Sequence, residues 1–324
     1  MRVRPIKTTI TTLTMAPSLD LYGAAEQLSE NAKTRCQESA REPGGGGINV
    51  ARNLHSLGER VMAIFPGDSG NGALIEKLLQ AESVPCRRIP AQTVTRQNLA
   101  LTETSSGRMF HLVFPGSELS EGEWRDCQAA IHSVSDSTGF LVLSGSLPPG
   151  VPDDFYGQIA REAKNRAIPV VLDTSGMALN AALNSGIYLA KLNPKELAQL
   201  GYRGDWETKS QLQFMAELVR GGLAQLLVVT QGEKGALMAT ASGEYVQATP
   251  PGVDVVSHIG AGDSFVSMMV HRLVQGSSDA EALAYGVAAA AAAISTPGNQ
   301  VPDPARVELL LPQIRHWDLA ATLP

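Results

Sequence analysis

The sequence predicts an α/β fold: a doubly wound, mainly parallel sheet flanked by helices, with a small β-flap that forms a lid. Three observations predict this fold. Short apolar runs typical of strands alternate with longer helical patterns from about residue 44 onward. Runs such as Pro169–Leu172 are apolar on both faces, as a parallel sheet covered by helices requires. Two regions, 21–43 and 91–115, break the alternation and are predicted to form the flap.

The elements of the main sheet follow from local pattern. A first strand is predicted over Thr8–Met15, because Thr and Ile suit a pleated surface. In the first helix Val50, Leu54 and Leu57 fall on one face, and Gly58 is a natural C-terminal stop. Further strands are predicted at Val61–Phe65, Phe140–Ser144, Ile168–Leu172, Ile187–Leu192, Gln225–Thr230 and Ala236–Thr240. Helices are predicted at Ile48–Leu57, Asn71–Glu82, Glu121–Ser133, Asp153–Arg166, Thr208–Arg220, Ala261–Val274 and Ala280–Ile294.

The flap is predicted from two segments that are distant in sequence and would pair in space. Residues 21–43 are polar without a helical stripe, and residues 91–115 alternate in the manner of strands around the turn at 105–107. There is no internal repeat and no Pro/Ser-rich linker. One domain over 1–324, with a lid built from 21–43 and 91–115, is therefore preferred to two domains.

Composition excludes several classes of protein. The 324 residues include 26 Lys and Arg against 32 Asp and Glu, for a formal charge of −6. This acidity argues against a nucleic-acid partner, which needs a surplus of cations. The three cysteines, Cys36, Cys86 and Cys127, lie far apart, so a disulfide scaffold or zinc ribbon is not expected. A reducing cytoplasm is the simplest location for such a chain.

No segment has the pattern of a membrane span. The longest charge-free stretch, 282–301, is Ala-rich and interrupted by Gly and Pro, whereas a span needs about 20 strongly apolar residues. The N-terminal Arg2, Arg4 and Lys7 precede a Thr-rich rather than Leu-rich segment, so a signal peptide is disfavoured. No membrane partner is predicted.

A glycine-containing loop, Ser257–Ser264, leads into an amphipathic helix and contains Gly260, Ala261, Gly262 and Asp263. The free N–H groups and partial positive charge at a helix start suit a phosphate. Asp263 has two interpretations that the pattern alone leaves open. It is either a plain N-terminal cap or a general base beside an anion hole.

Four consecutive glycines in the segment Glu42–Arg52 run into the first helix, where Asn49 offers a donor and an acceptor. A flexible turn needs one or two glycines, so four favour a ligand site in which the backbone is approached closely. Neither the P-loop motif nor the dinucleotide fingerprint fits this segment.

A third motif, Lys191–Glu196, follows a predicted strand. Asn193 and Glu196 are three residues apart, so one helical turn places both on the same side, as a Mg²⁺ site would need. An N-cap followed by Pro at the first helical position explains the same letters. Spacing alone favours the cap.

Two weaker signals complete the set. Thr230–Gly235 is a strand–loop–strand connection with two glycines, and by itself it fits a simple hairpin. Lys33, Arg35 and Arg96 form a scattered basic set in the flap regions. Such charges are usually solvated, but a cluster facing a cleft would suit a sugar phosphate.

In this order the motifs resemble the PfkB (ribokinase-like) carbohydrate kinase family, over nearly the whole chain. The glycine run through Asn49 is similar to the family's N-terminal signature, Gly260–Asp263 to its C-terminal signature, and Asn193 with Glu196 to its magnesium motif. The resemblance is strongest to the bacterial minor 6-phosphofructokinase branch. The segments that carry it are Ala16–Asp20, Lys33–Cys36, Glu42–Arg52, Thr95–Leu99 and Ser144–Gly150.

The resemblance implies a ribokinase-like fold and an ATP-dependent kinase that phosphorylates the C1 hydroxyl of fructose 6-phosphate to give fructose 1,6-bisphosphate and ADP. Asp263 would be the catalytic base, and the Gly260, Ala261 and Gly262 amides its anion hole. The implied substrate-binding residues are Asp20, Gly45, Gly46, Asn49, Arg96, Arg35, Ser144 and Lys33, the last supplied by a partner subunit. The implied nucleotide-binding residues are Lys191, Asn193, Thr230, Gly232 and Gly235, with Asn193 and Glu196 serving Mg²⁺.

The resemblance also implies a potassium ion near the Asp263 loop and a homodimer formed through the lid. The chain departs from the family pattern at His258, usually Thr or another small residue, and at Met268, usually Ala or Gly. His258 would narrow the anion hole, add a donor or face solvent, and Met268 would crowd the helix packing. Alternatives of substrate are tagatose 6-phosphate and fructose 1-phosphate. An alternative of class is a sugar-phosphate-binding protein without turnover.

Overall fold

The computed structural model describes residues 9–296, 298 and 301–318. Thr8 and the N-terminal basic residues Arg2, Arg4 and Lys7 lie outside the described residues. The strands are β1 (Thr9–Leu13), β2 (Ser18–Ala25), β3 (Gln37–Gly44), β4 (Val61–Gly67), β5 (Cys86–Pro90), β6 (Gln97–Glu103), β7 (Arg108–Leu112), β8 (Thr138–Ser144), β9 (Val170–Asp173), β10 (Leu189–Leu192), β11 (Leu226–Thr230), β12 (Ala236–Thr240), β13 (Tyr245–Thr249) and β14 (Arg315–Asp318).

The helices alternate with these strands. They are α1 (Gly46–Ser56), α2 (Asn71–Ala81), α3 (Glu121–Val134), α4 (Phe155–Asn165), α5 (Gly176–Ala182), α6 (Pro194–Gln199), α7 (Thr208–Arg220), α8 (Ala261–Val274), α9 (Asp279–Ile294) and α10 (Pro304–Leu310). No helix among the described residues has the length and apolar character needed to cross a membrane.

Ten strands form the main sheet, in the order β14-β13-β12-β11-β10-β9-β8-β1-β4-β5. Each neighbouring pair in the run β11-β10-β9-β8-β1-β4-β5 is parallel. The strands β12, β13 and β14 extend the sheet antiparallel at one edge. Helices cover both faces, as the alternation predicted. In β9, for example, Leu172 packs into one buried core and Val171 into the other.

A second sheet of four strands, here called the flap, has the order β3-β2-β6-β7. The parallel pair β2 and β6 joins two segments that are far apart in the chain, and the other two pairs are antiparallel. Residues 26–36, between β2 and β3, contain no strand. Leu112 and Phe114, at the end of β7 and just beyond it, are exposed.

Several predicted boundaries are wrong, and some elements were missed. Strands β9 and β10 begin two residues later than predicted, and the predicted helix from Asp153 begins at Phe155. The unpredicted elements are β5, β13, β14, α5 and α10. All five are short. Strands β5 and β14 are the two edges of the main sheet, and since an edge strand needs apolar residues on one face at most, their charged side chains gave no strand pattern.

The fold gathers polar residues at one edge of the main sheet. Ser144, Asp173 and Thr230 are the last residues of β8, β9 and β11, and Asn193 directly follows β10. The helices α1 and α8 begin near the same edge and pack against each other. Ligands of open α/β sheets bind at the carboxyl ends of the strands.

Candidate active site

Asp263 lies in the first turn of α8 and is not the residue that caps the helix. Gly260 is the N-cap residue, with a left-handed φ of 75° and no side-chain cap bond. A residue other than glycine would be strained at that φ. The loop therefore presents the first backbone N–H groups of α8 without a side chain covering them.

The Asp263 carboxylate contacts a side chain of α1, the helix that follows the glycine turn. Asn49 of α1 donates a hydrogen bond from Nδ2 to Asp263 Oδ2 at 2.8 Å. Burial raises the pKa of Asp263 to about 7, with a smaller raising effect from Asp173, while Asn49 and Lys191 act to lower it. A carboxylate with such a pKa can accept a proton near neutral pH, as a general base must.

Lys191 is held beside the start of α8. Its Nζ donates to Asp173 Oδ1 at 3.0 Å, and a Cβ built on Gly262 would lie 3.4 Å from that Nζ. Burial alone would lower the pKa of Lys191, but the carboxylate of Asp173 outweighs it and the pKa is raised. A buried ammonium thus lies next to the loop predicted to hold a phosphoryl group.

Asp173 was not predicted as a site residue. Asp173 is the last residue of β9, and Lys191 lies on the neighbouring strand β10. The ion pair between them therefore forms only when the two strands are adjacent in the sheet. The available signal was its position, since a carboxylate directly follows the apolar run Val170–Leu172. Polar residues at the ends of parallel strands share one edge of the sheet.

The glycine turn is built for close approach. A Cβ on Gly46 would lie 2.2 Å from Ser144 Oγ, and one on Gly44 would lie 2.2 Å from Asp20 Oδ2. Gly45 has a left-handed φ of 112°. The turn therefore brings Asp20, Gly45, Gly46 and Ser144 together, as the resemblance implied.

Asp20, in strand β2, is buried within a small hydrogen-bond network. Its Oδ1 accepts from Ser18 Oγ at 2.7 Å and from Asn98 Nδ2 at 2.9 Å. Burial raises the pKa of Asp20, while the bonds from Ser18 and Asn98 and the nearby charges of His111 and Arg96 lower it. Asn98 lies in the segment Thr95–Leu99 but was not predicted as a site residue, and its hydrogen bond orients this carboxylate.

Arg96 approaches the same network but donates to the backbone. Its guanidinium NH1 donates to the Phe114 carbonyl at 2.6 Å and NH2 donates to the Ala16 carbonyl at 2.9 Å. Its Nε is buried without a hydrogen-bond partner, and burial lowers the pKa of Arg96 although Asp20 partly opposes this. Buried polar groups without partners are rare, so this Nε is a donor left for a ligand or water.

Lys33 and Arg35 are not brought to this site by the chain itself. Both are exposed in the connection between β2 and β3. Within the part of the chain that the structure describes, neither makes a hydrogen bond or an ion pair. Their assignment to the sugar phosphate stays a prediction that needs a second subunit or a movement of the flap.

Asn193 and Glu196 form a capping box at the start of α6. Asn193 Oδ1 accepts from the Glu196 N–H at 3.0 Å, and Glu196 Oε2 accepts from the Asn193 N–H at 2.7 Å. The cap that spacing favoured is therefore present, with Pro194 at the first helical position. Burial raises the pKa of Glu196, with Lys191 acting to lower it and Asp173 to raise it, so these three groups are neighbours.

The carboxylates of Glu196 and Asp173 fit a Mg²⁺ ion whose other ligands are waters and nucleotide phosphates. In the described residues there is no group of three or more His, Cys, Asp or Glu that could enclose a metal. Glu196 Oε1 and Asp173 Oδ2 are carboxylate oxygens outside the bonds described above. Mg²⁺ prefers oxygen and keeps its waters, binding through one or two carboxylates together with phosphates.

A cavity of about 560 Å³ opens beside the α8 loop. It is lined by Thr230, Gly232 and Gly235, and by Ala261 and Gly262 of the loop. This volume lies within the usual range for small-molecule sites. The structure thus places all three predicted nucleotide-loop residues in one cavity with the predicted anion hole.

The two departures from the family pattern have different surroundings. His258 is exposed and lines the same cavity. Met268 is buried, with 6% of its surface exposed, and packs within the core on the α1, α8 and α9 side of the sheet. It forms part of the packed core of the α8 side rather than of the cavity wall.

A family model described as pfkB family carbohydrate kinase matches residues 12–306. The ATP-dependent 6-phosphofructokinase isozyme 2 of Escherichia coli is 40% identical over 293 residues, which are 90% of this chain and 94% of the relative. Solved structures of E. coli phosphofructokinase-2 are similar across 94% of this chain and 99% of theirs. The complex with fructose-6-phosphate has a TM-score of 0.88 at 37% identity, the complex with potassium 0.89 at 38%, and the tetrameric inhibited form 0.88 at 37%.

Proposed function

The chain belongs to the PfkB family of carbohydrate kinases, and we propose that it transfers the γ-phosphoryl group of ATP to the C1 hydroxyl of fructose 6-phosphate. The products are fructose 1,6-bisphosphate and ADP. The relative named as a 6-phosphofructokinase and the similar structure with bound fructose-6-phosphate support this substrate.

One observation supports the reaction most directly. The Asp263 carboxylate, in the first turn of α8, accepts a 2.8 Å hydrogen bond from Asn49 in the first turn of α1, directly after the glycine turn. The glycine turn is the sugar side of this arrangement and the cavity beside α8 is the nucleotide side. An acceptor hydroxyl between them would face both the base and the phosphoryl group, and such positioning is the main requirement of phosphoryl transfer.

Each residue then has a chemical task. Asp263 takes the proton of the C1 hydroxyl as the oxygen attacks phosphorus. The N–H groups of Gly260, Ala261, Gly262 and Asp263 stabilise the negative charge that develops on the transferred group. Lys191 adds a fixed positive charge beside Gly262, and Asp173 holds its ammonium in place.

The sugar is oriented by side chains that the fold has already fixed. Asp20 accepts hydrogen bonds from sugar hydroxyls, and the backbone at Gly45 and Gly46 permits close contact. Ser144 closes this side, while Arg96 binds the sugar's own phosphate together with Arg35. Lys33 reaches the same phosphate from a second subunit.

Glu196, with Asn193 at the α6 cap, would hold Mg²⁺ through its free carboxylate oxygen and waters. When bound, this ion neutralises charge on the ATP phosphates. Thr230, Gly232 and Gly235 line the nucleotide cavity. Potassium near the Asp263 loop remains a prediction, supported by the similar structure described as a complex with potassium.

The flap is the proposed lid and the proposed dimer contact. Its strands contribute Asp20 and approach the site through Asn98, and it exposes Leu112, Val113 and Phe114. We propose a homodimer that covers these side chains, and the resemblance implies that Lys33 is supplied by the partner subunit. One similar structure is described as tetrameric, so the assembly is to be measured by light scattering with and without substrates.

The test is ADP release with a panel of phosphorylated sugars. We expect turnover with fructose 6-phosphate to exceed that with tagatose 6-phosphate and fructose 1-phosphate, and the product to be the 1,6-bisphosphate. A preference for either other sugar would reassign the substrate within the family. Binding of fructose 6-phosphate without turnover of any sugar would support a non-catalytic binding protein instead.

A further inference from the structure

The nucleotide cavity has an uneven distribution of charge. Of its lining residues, only Glu233 and His258 have titratable side chains. The rest of the wall is glycine, one threonine and apolar residues. A nucleotide with two or three phosphates is strongly anionic, so the only cation that the lining itself can offer is the imidazolium of His258.

The position of His258 along the chain places it at the phosphate end of the cavity. It precedes Ala261, the first residue of α8, by three residues, and three residues span at most about 11 Å. The apolar lining, including Val253, Val287 and Ile294, provides the surface that a flat base would need. The phosphates therefore belong at the Ala261–Gly262 end, within reach of the imidazole.

His258 is also available. Its side chain is exposed, and within the described residues it forms no hydrogen bond or ion pair. In particular it is not paired with Glu233. An unpaired ring that lines a cavity can donate to a ligand without first breaking a bond inside the protein.

We propose that His258 is a nucleotide-binding residue whose imidazolium donates to the phosphates of the bound nucleotide, so that nucleotide affinity rises as the pH falls. The proposal rests on the proposed function, because it requires the cavity to hold a nucleotide. It assigns one residue of that site a phosphate contact and a pH dependence.

Other charged groups face this end of the cavity and must be separated from His258. Glu233 lines the cavity from the facing loop, Asp263 directly follows the lining residue Gly262 in α8, and Lys191 of β10 lies beside Gly262. The segment that contains His258 also has Asp254, which is exposed, and α9 contributes only apolar side chains to the lining. Asp263 and the nucleotide's own phosphates also titrate near neutrality, so the pH dependence must be read as a difference between two proteins.

The experiment is calorimetric titration of the full chain with MgADP and with adenosine, at about pH 6 and about pH 8. The proteins are wild type, His258→Gln and His316→Gln, the last being a matched control on the exposed strand β14. We expect His258→Gln to weaken MgADP binding about fivefold near pH 6 and by less than about twofold near pH 8, since only the charged ring makes the stronger bond. Adenosine affinity should be unchanged, and His316→Gln should match wild type.

Two results would overturn the proposal. One is equal MgADP affinity of wild type and His258→Gln near pH 6. The other is an equal loss of affinity for adenosine, which would mean that the substitution deforms the cavity. His258→Asn is measured in parallel and must show the same weaker MgADP binding near pH 6 with unchanged adenosine affinity. If wild type binds no nucleotide and shows no turnover, the proposed function fails as well, whereas turnover with an unaffected variant rejects only the role of His258.

Discussion

The sugar side and the nucleotide side of the proposed site use different recognition groups. On the sugar side, Asp20 is buried and fixed by hydrogen bonds from Ser18 and Asn98. On the nucleotide side, only Glu233 and His258 of the cavity lining are titratable, and the rest is backbone, threonine and apolar surface. On the proposed function, sugar selectivity would depend on preorganised polar side chains, and nucleotide binding on shape and main-chain donors, with His258 as the one cationic side chain of the lining.

This difference has an energetic basis. A buried polar group without its partner costs about 1–3 kcal/mol, so on the proposed function a sugar that leaves the buried Arg96 Nε without a partner would be rejected. A cavity of apolar walls and backbone discriminates less. Substitutions should therefore have large effects at the boundary and on the sugar side, and small effects on the nucleotide side.

The largest effect is expected at the boundary. Asp263→Asn should lower kcat about 10³-fold while both substrates still bind, because a general base acts in the transition state. Steady-state kinetics and calorimetric binding of each substrate measure this, with Asp254→Asn, an exposed carboxylate on the preceding loop, as the control. A near-normal kcat would remove Asp263 from the mechanism.

The second largest effect is expected from Gly46→Ala, which should weaken sugar binding. The new Cβ would lie 2.2 Å from Ser144 Oγ, and such overpacking costs about 1–3 kcal/mol, so the KM for fructose 6-phosphate should rise about 10- to 100-fold. Adding Ser144→Ala should recover part of the loss in sugar affinity. The control Gly122→Ala, whose new Cβ meets nothing within 4 Å, should leave the KM for fructose 6-phosphate unchanged. An unchanged KM in the single variant would show that the turn is not close to the sugar.

Arg96→Ala should raise the KM for the phosphorylated sugar by about tenfold or more, the size of one lost charge-assisted bond. The KM for ATP should stay constant, which separates sugar binding from general damage. Thermal melting is measured alongside, because Arg96 also holds the carbonyls of Ala16 and Phe114. If the KM for the sugar does not change, the guanidinium serves the backbone alone.

A small effect is expected on the nucleotide side. Thr230 Oγ1 already donates to the Leu192 carbonyl at 3.2 Å, so Thr230→Val should raise the KM for ATP by only about threefold. A loss as large as that of Arg96→Ala on the sugar would contradict the contrast between the two sides.

The smallest expected change is a shift in pH dependence. The pKa of Asp263 is raised to about 7, and the base must be ionised, so kcat/KM should fall as the pH drops below that value. Asn49 stabilises the ionised form, so Asn49→Ala raises the pKa further and should move the acid limb upward by about half a pH unit. A shift toward lower pH would contradict this electrostatic assignment.

Sequence patterns predicted the main sheet well where strands are buried on both faces. Val171 and Leu172 enter opposite cores, so the strand reads as an uninterrupted apolar run. Short or one-sided elements gave no such run. Strand β14, Arg315–Asp318, is exposed throughout and has no periodic signal.

The candidate site was predictable where glycines and a carboxylate share a segment, as at Gly260–Asp263. Asp173 was not, because its role depends on Lys191 in the adjacent strand. The carbonyl partners of Arg96 also depend on tertiary structure, since Ala16 is 80 residues away in the chain. Local patterns give residue types, and only the packed sheet gives their neighbours.

The most direct test is a crystal structure of the chain with fructose 6-phosphate and a non-hydrolysable ATP analogue. We expect the C1 hydroxyl within hydrogen-bond distance of the Asp263 carboxylate, the γ-phosphate at the Ala261–Gly262 amides and the sugar phosphate toward Arg96. A sugar bound with its C1 hydroxyl turned away from Asp263, or a nucleotide bound outside the cavity beside α8, would contradict the account.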